Sequence, residues 1–252
     1  MLYGIQRSPL IKDIEMIIDY PASIASMLLK DEIDLGLIPV AVIPAMKEYY
    51  INGRYCIGSD GAVSSVCLFS ETPIEQVKKV LLDYQSRTSV QLAKILLKEH
   101  WKLSPEFVDA GKDFRGQIRG TTAGVVIGDR ALEQRLQSPF IYDLGEAWKA
   151  FTGLPFVFAA WISNKPLDPS FIEAFDEANR QGVGQIEAVV AENPYSIFNL
   201  HDYFTKYLDY NLDEAKRKGL ALFLSYLSAD GYPNGADGPY RGQYRNLHPH
   251  AG

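Results

Sequence analysis

The sequence predicts an α/β fold in which mixed sheets are flanked by helices, and three observations carry that prediction. Short β-branched runs alternate with segments of helical apolar spacing through the first two thirds of the chain. Two β-rich runs, near 63 to 69 and 155 to 163, are longer and more apolar than the rest. With 252 residues and ordinary apolar and charged fractions, the chain suits one large domain or two small ones and is too apolar to be disordered.

In order, Glu15 to Ile18 reads as a short strand, and Pro21 then opens a helix over Ala22 to Lys30, where Ile24, Met27 and Leu28 recur at helical spacing. Asp34 to Ile38 reads as a buried strand ended by Pro39; Pro44 opens a further helical piece, and Gly61 to Ser70 reads as a strand. The rhythm repeats with a strand over Val80 to Tyr84 and a helix from Val90 to Leu97, then a strand over Ala123 to Ile127 and a helix from Arg130 to Leu136. After a β-rich run over Leu154 to Ile162 the pattern turns helical, through Phe171 to Asn179, Ile186 to Glu192, Leu200 to Tyr207 and Leu212 to Leu227. From Ala229 onward, glycines alternate with prolines, tyrosines and asparagines without an apolar period, and residues 229–252 are expected to be a disordered or non-native tail.

Composition excludes several classes. With 25 Lys and Arg against 31 Asp and Glu and no basic run, a nucleic-acid backbone binder is not expected. Cys56 and Cys67 are the only cysteines, and no CxxC or HExxH spacing occurs, so a structural zinc site is not expected. Of the histidines, His100 and His201 lie in charged helical segments and read as surface residues. No apolar stretch approaches the roughly 20 residues of a membrane span. With no signal-peptide pattern at the start, a cytoplasmic location is expected.

Chemistry concentrates at a few turns. At Ser86-Arg87-Thr88-Ser89 a strand gives way to a helix, where free backbone N–H groups favour an anion and Arg87 adds a fork for a carboxylate. The same residues fit a capping box through Thr88 and Gln91, which needs no ligand. At Gly61-Ala62-Val63-Ser64-Ser65 the glycine allows close approach and a serine hydroxyl can donate, or the segment is a bulge with one hydroxyl facing water. Asp129 stands where an N-cap carboxylate would. The run Gly153 to Trp161 would wall a cleft or fill a core. No GxSxG elbow, GxGxxG or P-loop is present.

Together, Gly-x-Val-x-Ser (61 to 65), Ser-Arg-Thr-Ser (86 to 89), Ile-Gly-Asp-x-Ala-Leu (127 to 132) and the segment from Asp143-Leu-Gly through Gly-Leu-Pro-Phe-Val-Phe-Ala-x-Trp (153 to 161) resemble chorismate dehydratase of the futalosine route to menaquinone. The resemblance runs from about Leu2 to Leu227 and takes in Pro21, Asp31-Glu32-x-Asp34 and Pro39. It implies the two-lobed type II periplasmic-binding-protein-like fold with two crossover strands, lobe 1 from 1–67 and 162–228 and lobe 2 from 68–161. It further implies a hydro-lyase that needs no metal or redox cofactor and removes water from chorismate to give 3-[(1-carboxyvinyl)oxy]benzoate. Chorismate carries two carboxylates. By the resemblance, Ser65 contacts one; Ser86, Thr88 and Ser89 hold the other, with Arg87 binding anion or bracing the turn. Phe156, Phe158 and Trp161 line the cleft, and Asp129 is a wall or cap residue.

The family also opens with a strand ending in Tyr-Leu-Asn-x-x-Pro-Leu, whose asparagine faces the substrate. Matching Leu2-Tyr3-Gly4-Ile5 through Pro21 sets Met1 near the end of that motif, so the first strand is expected to be missing, no catalytic residue is assigned, and little activity is expected of the chain alone. The rival readings are 1,4-dihydroxy-6-naphthoate synthase of the same pathway, which shares the fold, and a non-catalytic binder of small carboxylates.

Overall fold

The computed structural model describes residues 1–229, which form two β-sheets, each flanked by helices. The first sheet has four antiparallel strands in the order β1 (Gly36–Pro39), β8 (Phe156–Ser163), β2 (Tyr50–Ser59) and β9 (Asp209–Asn211). The second has five, in the order β5 (Glu106–Asp109), β4 (Lys79–Leu82), β6 (Thr122–Ile127), β3 (Val66–Ser70) and β7 (Phe140–Asp143). In this mixed sheet β4 runs parallel to β5 and β6, while β3 runs antiparallel to β6 and β7. The chain passes from the first sheet to the second between β2 and β3, and returns between β7 and β8 through helix α5 (Leu144–Thr152). The boundaries expected at 67/68 and 161/162 fall inside β3 and β8, beside those passages.

Around the sheets lie α1 (Leu2–Arg7), α2 (Pro21–Leu29), α3 (Thr88–Ile95), α4 (Asp129–Gln134), α6 (Pro169–Val183) and α7 (Ile186–Glu192). The short α8 (Leu200–Asp202) runs on as a π-helical turn over Tyr203–Tyr207, and α9 (Glu214–Ala229) closes the described chain. None of these helices is long and apolar enough to cross a membrane. The expected tail falls, from residue 230 on, outside the described residues.

The core explains why β8 is so apolar. Phe156 packs edge-on against Trp148 of α5 at 5.2 Å and Phe223 of α9 at 5.0 Å, while Trp161 packs against Phe175 of α6 at 4.8 Å. Alternation along the strand puts Phe156 and Phe158 on one face and Trp161 on the other, so β8 is sandwiched between two clusters. β3 is likewise covered on both sides, with Leu68 in the large core and Cys67 and Phe69 in a smaller cluster with Phe114 and Ile118.

Several expectations are corrected. Glu15 to Ile18 does not form a strand: it has no ladder partner, and Ile17 and Ile18 are exposed. β-branched composition favours a pleated surface, but a strand exists only where a neighbour accepts its hydrogen bonds. Pro44 does not open a helix; it lies inside a 3₁₀ turn over Val40–Ala45. β2 went unforeseen, because Asn52, Gly53 and Arg54 break its apolar pattern. They form a bulge in which Asp176 accepts from the Arg54 backbone at 2.8 Å and from Arg54 Nε at 3.1 Å.

Candidate functional site

Three loops meet at the edge of the second sheet that faces the first. The 60–65 loop enters β3, the 83–88 turn leaves β4, and the 127–130 turn leaves β6. Gly128 N donates to Ser65 O at 2.8 Å, tying the first loop to the third. Asp83 joins the second to the third. Its carboxylate is fully buried, accepts from Ile127 N at 3.3 Å and Gln85 N at 2.9 Å, and pairs with Arg130 Nη2 at 2.7 Å.

The first loop is shaped by Asp143, a buried carboxylate at the N-cap of α5. It accepts from Gly145 N at 3.0 Å and Glu146 N at 3.1 Å within the helix, and from Val63 N at 3.1 Å and Ser64 N at 2.7 Å across the passage. This lets Ser64 hold a left-handed φ of 63° and Gly61 a φ of 112°. Glycine is also required at 145, where a Cβ would lie 2.5 Å from Gly61 O. Asp143 and Asp83 went unassigned in the sequence. The signal was present only for Asp143, which opens the Asp-Leu-Gly motif directly before a helix.

The Ser86–Ser89 turn is formed as expected but capped differently. Ser86 Oγ accepts from Ser89 N at 3.1 Å, so the capping hydroxyl is Ser86 and no capping box runs from Thr88 to Gln91. Thr88, at the first turn of α3, instead accepts from Ala41 N at 3.2 Å in the 3₁₀ turn that follows β1, across to the first sheet. Thr88 and Ser89 are buried, whereas Ser86 and Arg87 are half-buried. The Arg87 guanidinium has no hydrogen bond or ion pair among the described residues. The turn therefore combines a free cation, a helix N-terminus and buried hydroxyls.

Ser65 is buried, and its Oγ lies 2.8 Å from the Tyr203 hydroxyl, which comes from the first-sheet side on the π-helical turn after α8. Burial raises the Tyr203 phenol above its ordinary pKa, with the Ser65 hydrogen bond opposing and the nearby Asp129 charge adding to the rise. Tyr195, on the same strap, is also raised by burial and then by Asp129 and Glu133; its buried hydroxyl has no partner among the described residues. Asp129 itself is exposed at the start of α4 and caps nothing, since Gly128 occupies the N-cap.

Ser65, Ser86, Arg87, Thr88, Ser89 and Asp129 thus share one loop cluster. The expected aromatic wall does not join it as a unit. Phe156 is 1% exposed and belongs to the core with Trp148 and Phe223, and Trp161 lies on the opposite face of β8. Truncating such core aromatics costs about 3–5 kcal/mol, so packing alone accounts for large aromatics at these positions. A separate cavity of about 540 Å³ lies where β2 begins, between α6 and α9, and includes none of the expected residues. Among the described residues no group of three or more His, Cys, Asp or Glu could hold a metal ion. His100 packs against Trp101 and Phe151, and His201 Nε2 stands 2.9 Å from Glu187 on the surface.

Two sheets joined by two passages, with ligand-competent loops between them, define the type II periplasmic-binding-protein-like class. Solved structures agree: a protein from Archaeoglobus fulgidus superposes with a TM-score of 0.60 at 15% identity, covering 91% of this chain and 94% of that one. The alkanesulfonate-binding protein SsuA from Xanthomonas axonopodis pv. citri bound to MOPS superposes at 0.56 and 10% identity, covering 84% and 79%. At these identities the likeness shows the fold. Within that class, the sequence model described as "Menaquinone biosynthesis" matches residues 1–229, and the chain belongs to that family. It is 28% identical over 233 residues to the chorismate dehydratase of Thermus thermophilus, covering 82% of this chain and 84% of the relative.

Proposed function

We propose that this protein is a chorismate dehydratase acting in menaquinone biosynthesis, which eliminates water from chorismate to give 3-[(1-carboxyvinyl)oxy]benzoate. The observation that carries the reading is the pair of hydroxyl-rich turns on one loop cluster, one centred on Ser65 and the other on Ser86 to Ser89 with an unpaired Arg87. A dicarboxylate needs two such receptors, and the 28% identity to a chorismate dehydratase supplies the substrate class. In the reaction a ring proton and the hydroxide on the neighbouring carbon leave together as water. The ring becomes aromatic, so the balance calls for no oxidant and no reductant. The protein's work is to hold both carboxylates so that the ring is fixed between the sheets. Ser86 with the α3 N-terminus and Arg87 would bind one carboxylate, and Ser65 the other, with Asp129 at the cleft mouth. We take the lobes to be the two sheet units, joined at the passages beside β3 and β8.

The test is incubation with chorismate, both of the chain itself and of the chain extended by a strand ending in Tyr-Leu-Asn-x-x-Pro-Leu, with the aromatic product followed by absorbance and mass. The extended arm is motivated by the outer edge of β1, which pairs with no strand among the described residues, and by the unladdered segment 14–19. Product from the extended chain is expected, in excess of any from the chain itself. Binding of chorismate without product in both would favour a non-catalytic carboxylate-binding protein.

A further inference from the structure

Hydrogen-bond accounting at Ser65 and Tyr203 leaves a remainder. Each hydroxyl carries one proton, and at 2.8 Å one donates to the other. The second proton has no protein acceptor among the described residues, where neither hydroxyl makes any other hydrogen bond. The site is not loose: the Tyr203 ring is flanked by Phe198 at 6.3 Å and Phe204 at 5.3 Å, and Ser65 is pinned by Gly128 N. The two hydroxyls also come from opposite sides, Ser65 from the loop entering the second sheet and Tyr203 from the strap that leads into β9 of the first.

We propose that Tyr203 and Ser65 form a two-hydroxyl carboxylate clamp spanning the two sheets, with the Tyr203 phenol as the second donor to the ligand carboxylate that Ser65 receives. The inference deepens the proposed function and rests on it. A carboxylate has two oxygens and accepts both protons, so ligand binding exchanges one mutual bond and one unspent donor for two charge-assisted bonds. Because the donors belong to different sheets, the same carboxylate ties the sheets together. A phenol is protonated at neutral pH, as a donor must be, and burial raises its pKa further.

The test uses calorimetric binding of chorismate and of its two monomethyl esters to the parent chain, Tyr203→Phe and Ser65→Ala. Tyr203→Phe is expected to weaken chorismate binding roughly 10- to 100-fold, the usual effect of losing a hydrogen bond to a charged group. The ester matters most: for the monoester that blocks the clamped carboxylate, parent and variant should bind alike, while the other monoester should lose as much as chorismate does. Loss of equal size for both esters would mark a purely structural role and overturn the clamp, and so would undiminished chorismate binding. Ser65→Ala, acting from the other side of the same pair, should reproduce the ester-selective loss and serves if Tyr203→Phe does not fold. Failure of both the parent chain and the extended chain to bind chorismate overturns the functional reading and the clamp with it, whereas binding without ester selectivity in the variants overturns the clamp alone.

Discussion

Asp143 does more for the site than the residues that face it. Its two oxygens take four backbone N–H groups, two at the start of α5 and two in the 60–65 loop. Replacing it by alanine strands those donors in a buried place, and each unsatisfied group costs about 1–3 kcal/mol. Asp143→Ala is therefore expected to lower unfolding stability by about 3 kcal/mol or more in urea titration, with Ser65 losing its position as the loop relaxes. A stability within about 0.5 kcal/mol of the parent would show that the loop holds itself. Sequence pattern found the hydroxyls of this site and passed over the carboxylates, because a hydroxyl-rich turn is visible in one stretch of chain, while Asp143 and Asp83 act on residues 80 and 44 positions away.

Among the elements, the α3 and α4 starts are set relative to each other by the Asp83 to Arg130 pair. The Asp83 carboxylate is fully buried, so removing its partner leaves a lone buried charge, typically worth 3–5 kcal/mol. Arg130→Met should cost roughly that much in urea unfolding, and Asp83→Asn combined with Arg130→Met should recover part of it, because no charge then remains buried. A double variant as unstable as the single one would refute that account. Segment 14–20 shows the converse case. Ile17, Ile18 and Tyr20 are 44%, 63% and 65% exposed, and Glu15 to Ile18 stays unpaired despite strand-like composition. Element type was legible wherever apolar period and burial coincide, as in α2, β6 and α9. It was illegible at β2, where a bulge breaks the period, and at β5, β7 and β9, which are only three or four residues long.

Taken as a whole, the molecule keeps both thiols inside. Burial pushes the Cys56 thiol up to about 12 and raises Cys67 further, with the Asp143 charge adding to the rise at Cys67. Each folded pKa exceeds the unfolded value near 9, so the stability this represents is fully present below about pH 9 and is lost as pH climbs through the folded values. Across that window, from about pH 9 to 12 for Cys56, each thiol removes about 1.4 kcal/mol per pH unit. Native protein at pH 8 should resist iodoacetamide at both cysteines, and thiolate absorbance should rise only together with alkaline unfolding. Alkylation of the folded chain would place a thiol at the surface and contradict its burial.

The α/β class, most helices, the apolar strands and the hydroxyl-bearing turns are readable in the chain alone, because each is written in local spacing or in a short motif. The chain also carries the family resemblance. Which of those motifs meet is set by the folded arrangement. It brought residues 65, 86 to 89 and 129 into one cluster through bonds between loops, and it gave Ser65 its Tyr203 partner from 138 positions downstream. It also split Phe156 and Phe158 from Trp161, because successive side chains on a pleated strand point to opposite faces and each face had its own core to fill.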